Sequence, residues 1–382
     1  MRNKVLVGLG IAAVVAIGAA IFAVGGRQDA ETAVMQPTPL FPGLSAKIGD
    51  VTALTVAGAK QKLTIADQNG TWVIREKSDY PAKPDAVRAA LAGLVDLKAI
   101  EPRTDKPDLY GKIGVADIDK PDSKAIRLGL ADAKGQELAA LLVGDTKAYE
   151  SGSHPAQLYV RKPGEARSWL AEGRIEVKTD PMTWIERSLT HIARGRIMSV
   201  DIVQPDGRKL EQSRDTAKQE DWKVTGLKPD AKPKMTDMNG TGAALEFLTC
   251  DDVAKLSDVN FDKPVVATFH TFDGLVVTVK TVKQGDKPWI ALSAGFDPAQ
   301  AAKVAPPPAN PPAADKAAGD KSAGDKPAEP AADQPRTAAD VEKEAAEFNK
   351  QFSPWAYQIP DYQAGNYSHT PEDVTMTEKK GS

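Results

Sequence analysis

Val51-Thr52-Ala53-Leu54-Thr55-Val56, Lys62-Leu63-Thr64-Ile65-Ala66 and Thr71-Trp72-Val73-Ile74 follow one another, and about 150 residues later the arrangement returns. There Ile197-Met198-Ser199-Val200-Asp201-Ile202-Val203, Lys209-Leu210-Glu211 and Trp222-Lys223-Val224 stand in the same order. Alternating apolar and polar residues with period two predict half-buried strands, and Asn69-Gly70 and Asp206-Gly207 supply the tight turns between them. After the first triplet, Pro84-Asp85 opens a helix whose Val87, Leu91, Leu94 and Val95 make an apolar stripe at 3.6-residue spacing. After the second, a helix is expected through Ala244, Phe247, Leu248 and Cys250 to Val253. Setting Trp72 opposite Trp222, and Leu94, Leu97 and Ile100 opposite Phe247, Cys250 and Val253, matches apolar positions with small gaps. More strands follow in each half: Ala125–Leu130, Glu137–Val143 and Gln157–Val160 in the first, Val265–Phe272, Leu275–Lys283 and Pro288–Leu292 in the second. Each half therefore reads β-β-β-α-β-β-β, and short strands joined by tight turns imply antiparallel pairing with a helix over one face. The expected fold class is α+β, with an N-terminal transmembrane helix followed by two duplicated modules of antiparallel β-sheet, each with a covering helix.

Outward from this pair, the first module is expected over residues 46–190 and the second over 191–299. The stretch Pro181 to Leu189 reads as a short helical joint with Trp184 and Leu189 turned inward. Residues 300–337 are rich in alanine, proline, aspartate and lysine, and Asp315-Lys316, Asp320-Lys321 and Asp325-Lys326 recur every five residues. Such a tract cannot bury enough apolar surface to offset its ordering entropy, so it is expected to be a disordered insertion. Beyond it, Val341, Ala345 and Phe348 mark a helix, and Trp355 to Tyr362 is dense in aromatics. Residues 338–370 are accordingly read as the closing segment of the second module, and 371–382 as a flexible tail.

At the other end, Val5 to Val24 is a run of twenty residues without a polar or charged side chain, after Arg2 and Lys4. At about 1.5 Å per residue a helix of this length spans roughly 30 Å, the hydrocarbon thickness of a bilayer. Residues 1–26 are read as a cytoplasmic N-terminus and membrane anchor, and the proline-bearing 27–45 as an extended stalk. The alternative is a cleaved secretory signal ending near Ala23-Val24-Gly25. The positive flank places the N-terminus in the cytoplasm and the body across the membrane: a single-pass protein of the inner (cytoplasmic) membrane with a periplasmic body. Gly8, Ala12, Ala16 and Ala20 recur every four residues, a spacing that permits close packing of a second membrane helix.

Composition narrows the chemistry. Among 382 residues the net charge is −3 and the pI about 5.9, so no global basic field draws the chain to nucleic acid. A single cysteine, Cys250, cannot form an internal disulfide and is expected to be buried. The histidines His154, His191, His270 and His369 lack the spacing of a metal site. Asp117, Asp119 and Asp122 start like a calcium loop but lack its glycine and its closing glutamate, so they read as a polar turn. No nucleophile elbow or phosphate-binding loop is present. No catalytic residue, cofactor or metal ligand is therefore assigned, and any small-molecule ligand is left unnamed. Acid pairs such as Asp251-Asp252 are expected to be solvated, though dispersed carboxylates meeting in space keep a hydrolase reading open. Trp72, Trp222 and Trp289 are expected in the core. Trp355, Tyr357, Tyr362 and Tyr367 either pack the closing segment down or form a binding surface.

Several segments together resemble the bacterial family of domain of unknown function 4340 (DUF4340). They are Leu40-Phe41-Pro42-Gly43-Leu44, Trp72-Val73-Ile74 with Tyr80-Pro81, and Ala140 to Gly144 before Tyr159-Val160-Arg161. The joint Asp180-Pro181-Met182-Thr183-Trp184-Ile185 and the closing Trp355-Ala356-Tyr357-Gln358-Ile359-Pro360 complete the set. The resemblance implies one N-terminal anchor and an accessory role beside an ABC transporter of the gliding-motility-associated type. It transfers no active-site residues. The expected function is thus a non-enzymatic, membrane-anchored subunit whose partners are the membrane and integral transporter subunits. An envelope-binding module for peptidoglycan or polysaccharide is the alternative, and a carboxylate hydrolase the third reading.

Overall fold

Period-two alternation becomes sheet in both halves. The computed structural model describes residues 36–147, 156–301 and 336–376. Among them the chain is a mixed α/β structure dominated by antiparallel sheets. The described residues form two compact units: those up to Trp72 with those from Pro84 to Asp180, and Val73–Lys83 with those from Pro181 onward. Gly8, Ala12, Ala16 and Ala20, and nearly all of 300–337, lie outside the described residues. Within the described residues no helix is long and apolar enough to cross a membrane.

The first sheet contains β1 (Thr38–Pro39), β2 (Val51–Ala57), β3 (Lys62–Gln68), β4 (Thr71–Ile74), β5 (Tyr80–Pro81), β6 (Lys98–Pro102), β7 (Ile126–Asp132), β8 (Glu137–Lys147), β9 (Gln157–Arg161) and β10 (Ser168–Glu172). Its core face is set by register: Leu54 lies opposite Leu130, Val56 opposite Leu128, and Leu128 opposite Leu141, all fully buried. The helix Pro84–Asp96 buries Val87, Ala90 and Leu94. It packs so closely that a Cβ on Gly93 would stand 2.6 Å from the Arg174 carbonyl oxygen.

The second half adds β11 (Ser188–Thr190), β12 (Ile197–Val203), β13 (Lys209–Ser213), β14 (Lys223–Thr225), β15 (Leu248–Thr249), β16 (Asp252–Lys255), β17 (Val265–Thr271), β18 (Leu275–Gln284), β19 (Lys287–Phe296) and β20 (Trp355–Gln358). Its large sheet runs β14-β13-β12-β17-β18-β19-β20-β16, and the first runs β5-β4-β3-β2-β7-β8-β9-β10-β6-β1. With the two edge strands β5 and β1 set aside, the eight remaining strands of the first follow the same order as those of the second. Likewise β2 and β12 each follow a 3-10 turn, each span seven residues, and each carry a register shift between their first and third residues.

The second unit is closed by aromatics. Tyr80 meets the Trp355 ring at 4.8 Å and the Tyr357 ring at 6.3 Å, both edge-on, and Lys77 pairs with Asp252. The helix Ala338–Phe352 starts at a capping box between Thr337 and Asp340 and buries Val341, Ala345, Phe348 and Phe352. Past the point where β20 stops pairing with β19, Asn349 takes over the ladder. Its side chain accepts from the Ala294 N–H at 2.8 Å and donates to the Ala294 carbonyl at 2.7 Å.

Three expectations change. The helix expected from Ala244 to Val253 is not there: the helix is Met235–Gly242, and β15 and β16 follow. Leu248, Cys250 and Val253 are buried as expected, but Phe247 is 69% exposed. Strand partners far along the chain outcompete helical propensity, with Leu248 opposite Thr190 and Val253 opposite Tyr357. The joint at Pro181–Leu189 is a 3-10 turn, Pro181–Trp184, leading into β11, although Trp184 and Leu189 are buried. Trp72 is only partly buried, because it stands on the last, outer part of the first triplet.

Burial pushes the His369 imidazole pKa down, Asp237 and Asp373 oppose this, and Lys234 adds to it. A histidine held neutral in the fold binds fewer protons than in the unfolded chain. The stability it contributes is therefore complete above the unfolded value of about 6.5 and is lost as pH falls below it. The urea midpoint of the second unit is expected to drop between pH 7 and pH 5, and His369→Gln to flatten that part of the profile. An unchanged slope in the variant would reject the assignment.

Candidate functional site

Alternation along β12, β17, β18 and β19 turns Val200, Ile202, Phe269, Val277, Val279 and Leu292 into the core. The residues between them stand on the opposite face. Register then assembles a row across six strands: Thr225, Glu211, Asp201, Thr268, Thr278 and Ser293. Every member carries a hydroxyl or a carboxylate. Beside it runs a second row in which Ser213, Ser199 and His270 are adjacent. His270 Nε2 lies 3.3 Å from Asp201 Oδ2, with side chains 29% and 41% exposed, so this part of the face is open to solvent. The Thr225 hydroxyl donates to Glu211 Oε2 at 3.1 Å. The hydroxyls of Thr268, Thr278 and Ser293 have no hydrogen-bond partner among the described residues.

These groups can bind but are not arranged as a nucleophilic relay. Ser199 stands opposite His270 in register, yet no hydrogen bond among the described residues joins its hydroxyl to the imidazole, as an activated nucleophile requires. What the face offers is a row of free hydroxyls at a strand spacing of about 4.8 Å, beside a carboxylate–imidazole pair. A polar surface can hydrogen-bond along such a row.

The matching row of the first sheet is Thr64, Thr55, Gly129 and Ala140. It has two positions with no polar group, and Arg127 lies across it: a Cβ on Gly129 would stand 2.8 Å from Arg127 Nη1. Arg127 is in turn paired with Glu137. One scaffold thus carries two different faces, and the second is the open polar one.

Other residues singled out by sequence fall elsewhere. His154 lies outside the described residues, and His191 Nε2 is 2.9 Å from Ser188 Oγ. Asp117 is taken by Arg161, while Asp119 and Asp122 are exposed. No group of three histidine, cysteine or acidic side chains among the described residues could hold a metal ion. Asp251 and Asp252, expected to be solvated, are paired with Arg187 and Lys77. Cys250 is a free, fully buried thiol, and burial pushes its pKa up to about 12. The closing aromatics divide: Tyr357 and Tyr367 are buried in the core, whereas Tyr362 is 77% exposed. The polar row itself was missed by sequence reasoning. Its signal was the polar half of each alternation, which carries no meaning until register aligns it.

Residues 72–264 match the model of the family described as Domain of unknown function (DUF4340), a span that runs from β4 to the residue before β17. No curated protein matches the chain.

Proposed function

The chain belongs to the DUF4340 family, and from that premise we propose that it is a non-enzymatic accessory subunit of an envelope membrane complex, an ABC transporter of the gliding-motility-associated type. It is anchored by the apolar segment Val5–Val24, with the body on the extracytoplasmic side. The body consists of two copies of one ancestral module, a reading supported by the shared strand order and the shared irregularity in β2 and β12. The observation that carries the proposal is the divergence of the two faces on this scaffold. Arg127 and Glu137 occupy the first, while the second keeps Asp201, Glu211 and three free hydroxyls open for a partner.

Mild-detergent purification through a C-terminal tag, followed by mass spectrometry, tests it. Transporter subunits are expected with the native chain. Their recovery should fall at least about tenfold with the charge reversal Asp201→Lys/Glu211→Lys, since like charges set against a complementary surface are costly. A variant with Ala12→Leu and Ala16→Leu tests the membrane contact separately. Recovery of no transporter subunit, or undiminished recovery with both variants, would sink the proposal. The unpartnered hydroxyls of Thr268, Thr278 and Ser293 also favour a second reading, recognition of an envelope polysaccharide. It requires that residues 27–382 alone sediment with purified peptidoglycan.

A further inference from the structure

A cavity of about 330 Å³ lies in the second unit beside the turn that follows β13, and Arg194, Arg214, Lys218, Glu220, Trp222 and Asn239 line it. Arg214 is only 8% exposed. Its guanidinium carbon sits 4.9 Å from the centre of the Trp222 ring and 5.8 Å from that of Phe272. Nε donates to the Ile197 carbonyl at 2.8 Å, Nη1 to the carbonyls of Gln219 at 3.2 Å and Ala217 at 3.4 Å, and Nη2 to the Arg194 carbonyl. Of five N–H groups on a guanidinium, one therefore remains to donate.

No carboxylate neutralises this charge. Among the described residues, Arg194, Arg214 and Lys218 form no ion pair, and neither does Glu220, the single acid of the lining; the nearby Asp215 is held by Lys223. An arginine keeps its charge at any ordinary pH, so burial without a counter-charge is costly. Burial and the adjacent Arg194 both pull its pKa down. The wall around it is rigid. Trp222 Nε1 donates to Asn239 Oδ1 at 3.1 Å, which leaves the Asn239 amide N–H groups as further donors. The indole lies so near Gly242 that a Cβ there would stand 2.3 Å from Trp222 Cζ2.

We propose that this cavity is a binding site for an oxyanion, a phosphate or a carboxylate carried on a small polar molecule, held by Arg194, Arg214 and Lys218. The volume is at the lower end of small-molecule sites and accommodates one sugar-sized body. Arg214 and Asn239 are already held by their hydrogen bonds and lose little freedom on binding, whereas Arg194 and Lys218 close on the anion from the exposed rim. The site uses none of the residues of the open polar row, so it stands or falls independently of the transporter proposal.

Isothermal titration of the full chain in mild detergent tests it, with inorganic phosphate, glucose 6-phosphate, glucuronate and glucose as probes. At least one anion is expected to bind saturably and glucose not at all; the anion that binds identifies phosphate or carboxylate as the preferred group. Arg194 and Lys218 are exposed, so the double variant Arg194→Gln/Lys218→Gln keeps the fold. It should weaken anion binding about tenfold or more, as loss of charge-assisted hydrogen bonds does, at an unchanged melting temperature. No saturable binding by any anion, equal binding of glucose, or undiminished affinity in the folded double variant would overturn the proposal.

Discussion

Phe269→Ala is expected to destabilise the second unit by about 3–5 kcal/mol, the range for removing a fully buried phenylalanine ring. Phe269 lies at the middle of β17, opposite Val200 of β12 and Val277 of β18, and none of the three is more than 1% exposed. Its ring meets Tyr367 edge-on at 6.0 Å. Tyr367 is itself anchored by donating its hydroxyl to the Ala244 carbonyl at 2.6 Å, so it cannot readily move to fill the space. The loss thus combines transfer free energy with a cavity that relaxes poorly. Hydrogen exchange of β12, β17 and β18 amides measures the effect in this unit alone, which matters because a chain of two units need not unfold in one step. Thr268→Ala, one residue away on the open face, should change stability by less than about 0.5 kcal/mol. Equal effects of the two substitutions would contradict the assignment of faces.

Arg161→Leu is expected to cost the first unit about 2–4 kcal/mol, as buried acceptors lose their donors. Arg161 is 3% exposed on β9, and its fork reaches three acceptors on two stretches of chain, the Val115–Asp117 segment and the turn at Glu165. Nε donates to the Val115 carbonyl at 3.0 Å, Nη1 to the Glu165 carbonyl at 3.0 Å, and Nη2 to Asp117 Oδ1 at 2.5 Å. The guanidinium carbon also stands 4.4 Å from the centre of the Tyr110 ring. Asp117 is half exposed and regains water when the pair is lost, so most of the expected cost comes from the carbonyls and the ring contact. Arg161→Lys should recover little, because one ammonium cannot reproduce a planar fork reaching three acceptors. The segment from Ile113 to Val115 is seated against Gly144, where a Cβ would stand 2.3 Å from the Ile113 carbonyl oxygen. Exchange at β8 and β9 amides checks the result, and a loss below about 1 kcal/mol would show that the fork is dispensable.

Strands were legible wherever alternation was clean. Ile197 to Val203 and Val51 to Val56 are strands in the structure, and the Asn69-Gly70 and Asp206-Gly207 turns lie between the strands they were expected to join. Alignment of Ile100 with Val253 puts residues of β6 and β16 opposite one another, and Leu97 and Cys250, aligned likewise, stand just before those strands. Those two strands occupy the same place in their sheets. The error at 244–253 arose because apolar residues three apart fit a helix and also fit strands broken by a turn. The candidate site was less legible still. Asp201 and His270 are 69 positions apart in the chain, Glu211 and Ser293 are 82 apart, and neither pair has any spacing a motif would reveal.

What the sequence determined by itself is local: the period of two that makes each strand, the glycine turns between strands, the apolar run near the N-terminus, and the repetition of the whole pattern. These depend on the order of neighbours along the backbone, and a reader of that order recovers them. Tertiary structure decided which strand pairs with which, and therefore that Val253 extends beside Tyr357 instead of turning in a helix. It also decided that six polar side chains from separate strands align in one open row, and that Arg214 is enclosed by carbonyls and aromatic rings without an acid. Such outcomes depend on pairing and burial energies between residues far apart in the chain. No local period encodes them, because the partner that stabilises each one lies tens of residues away.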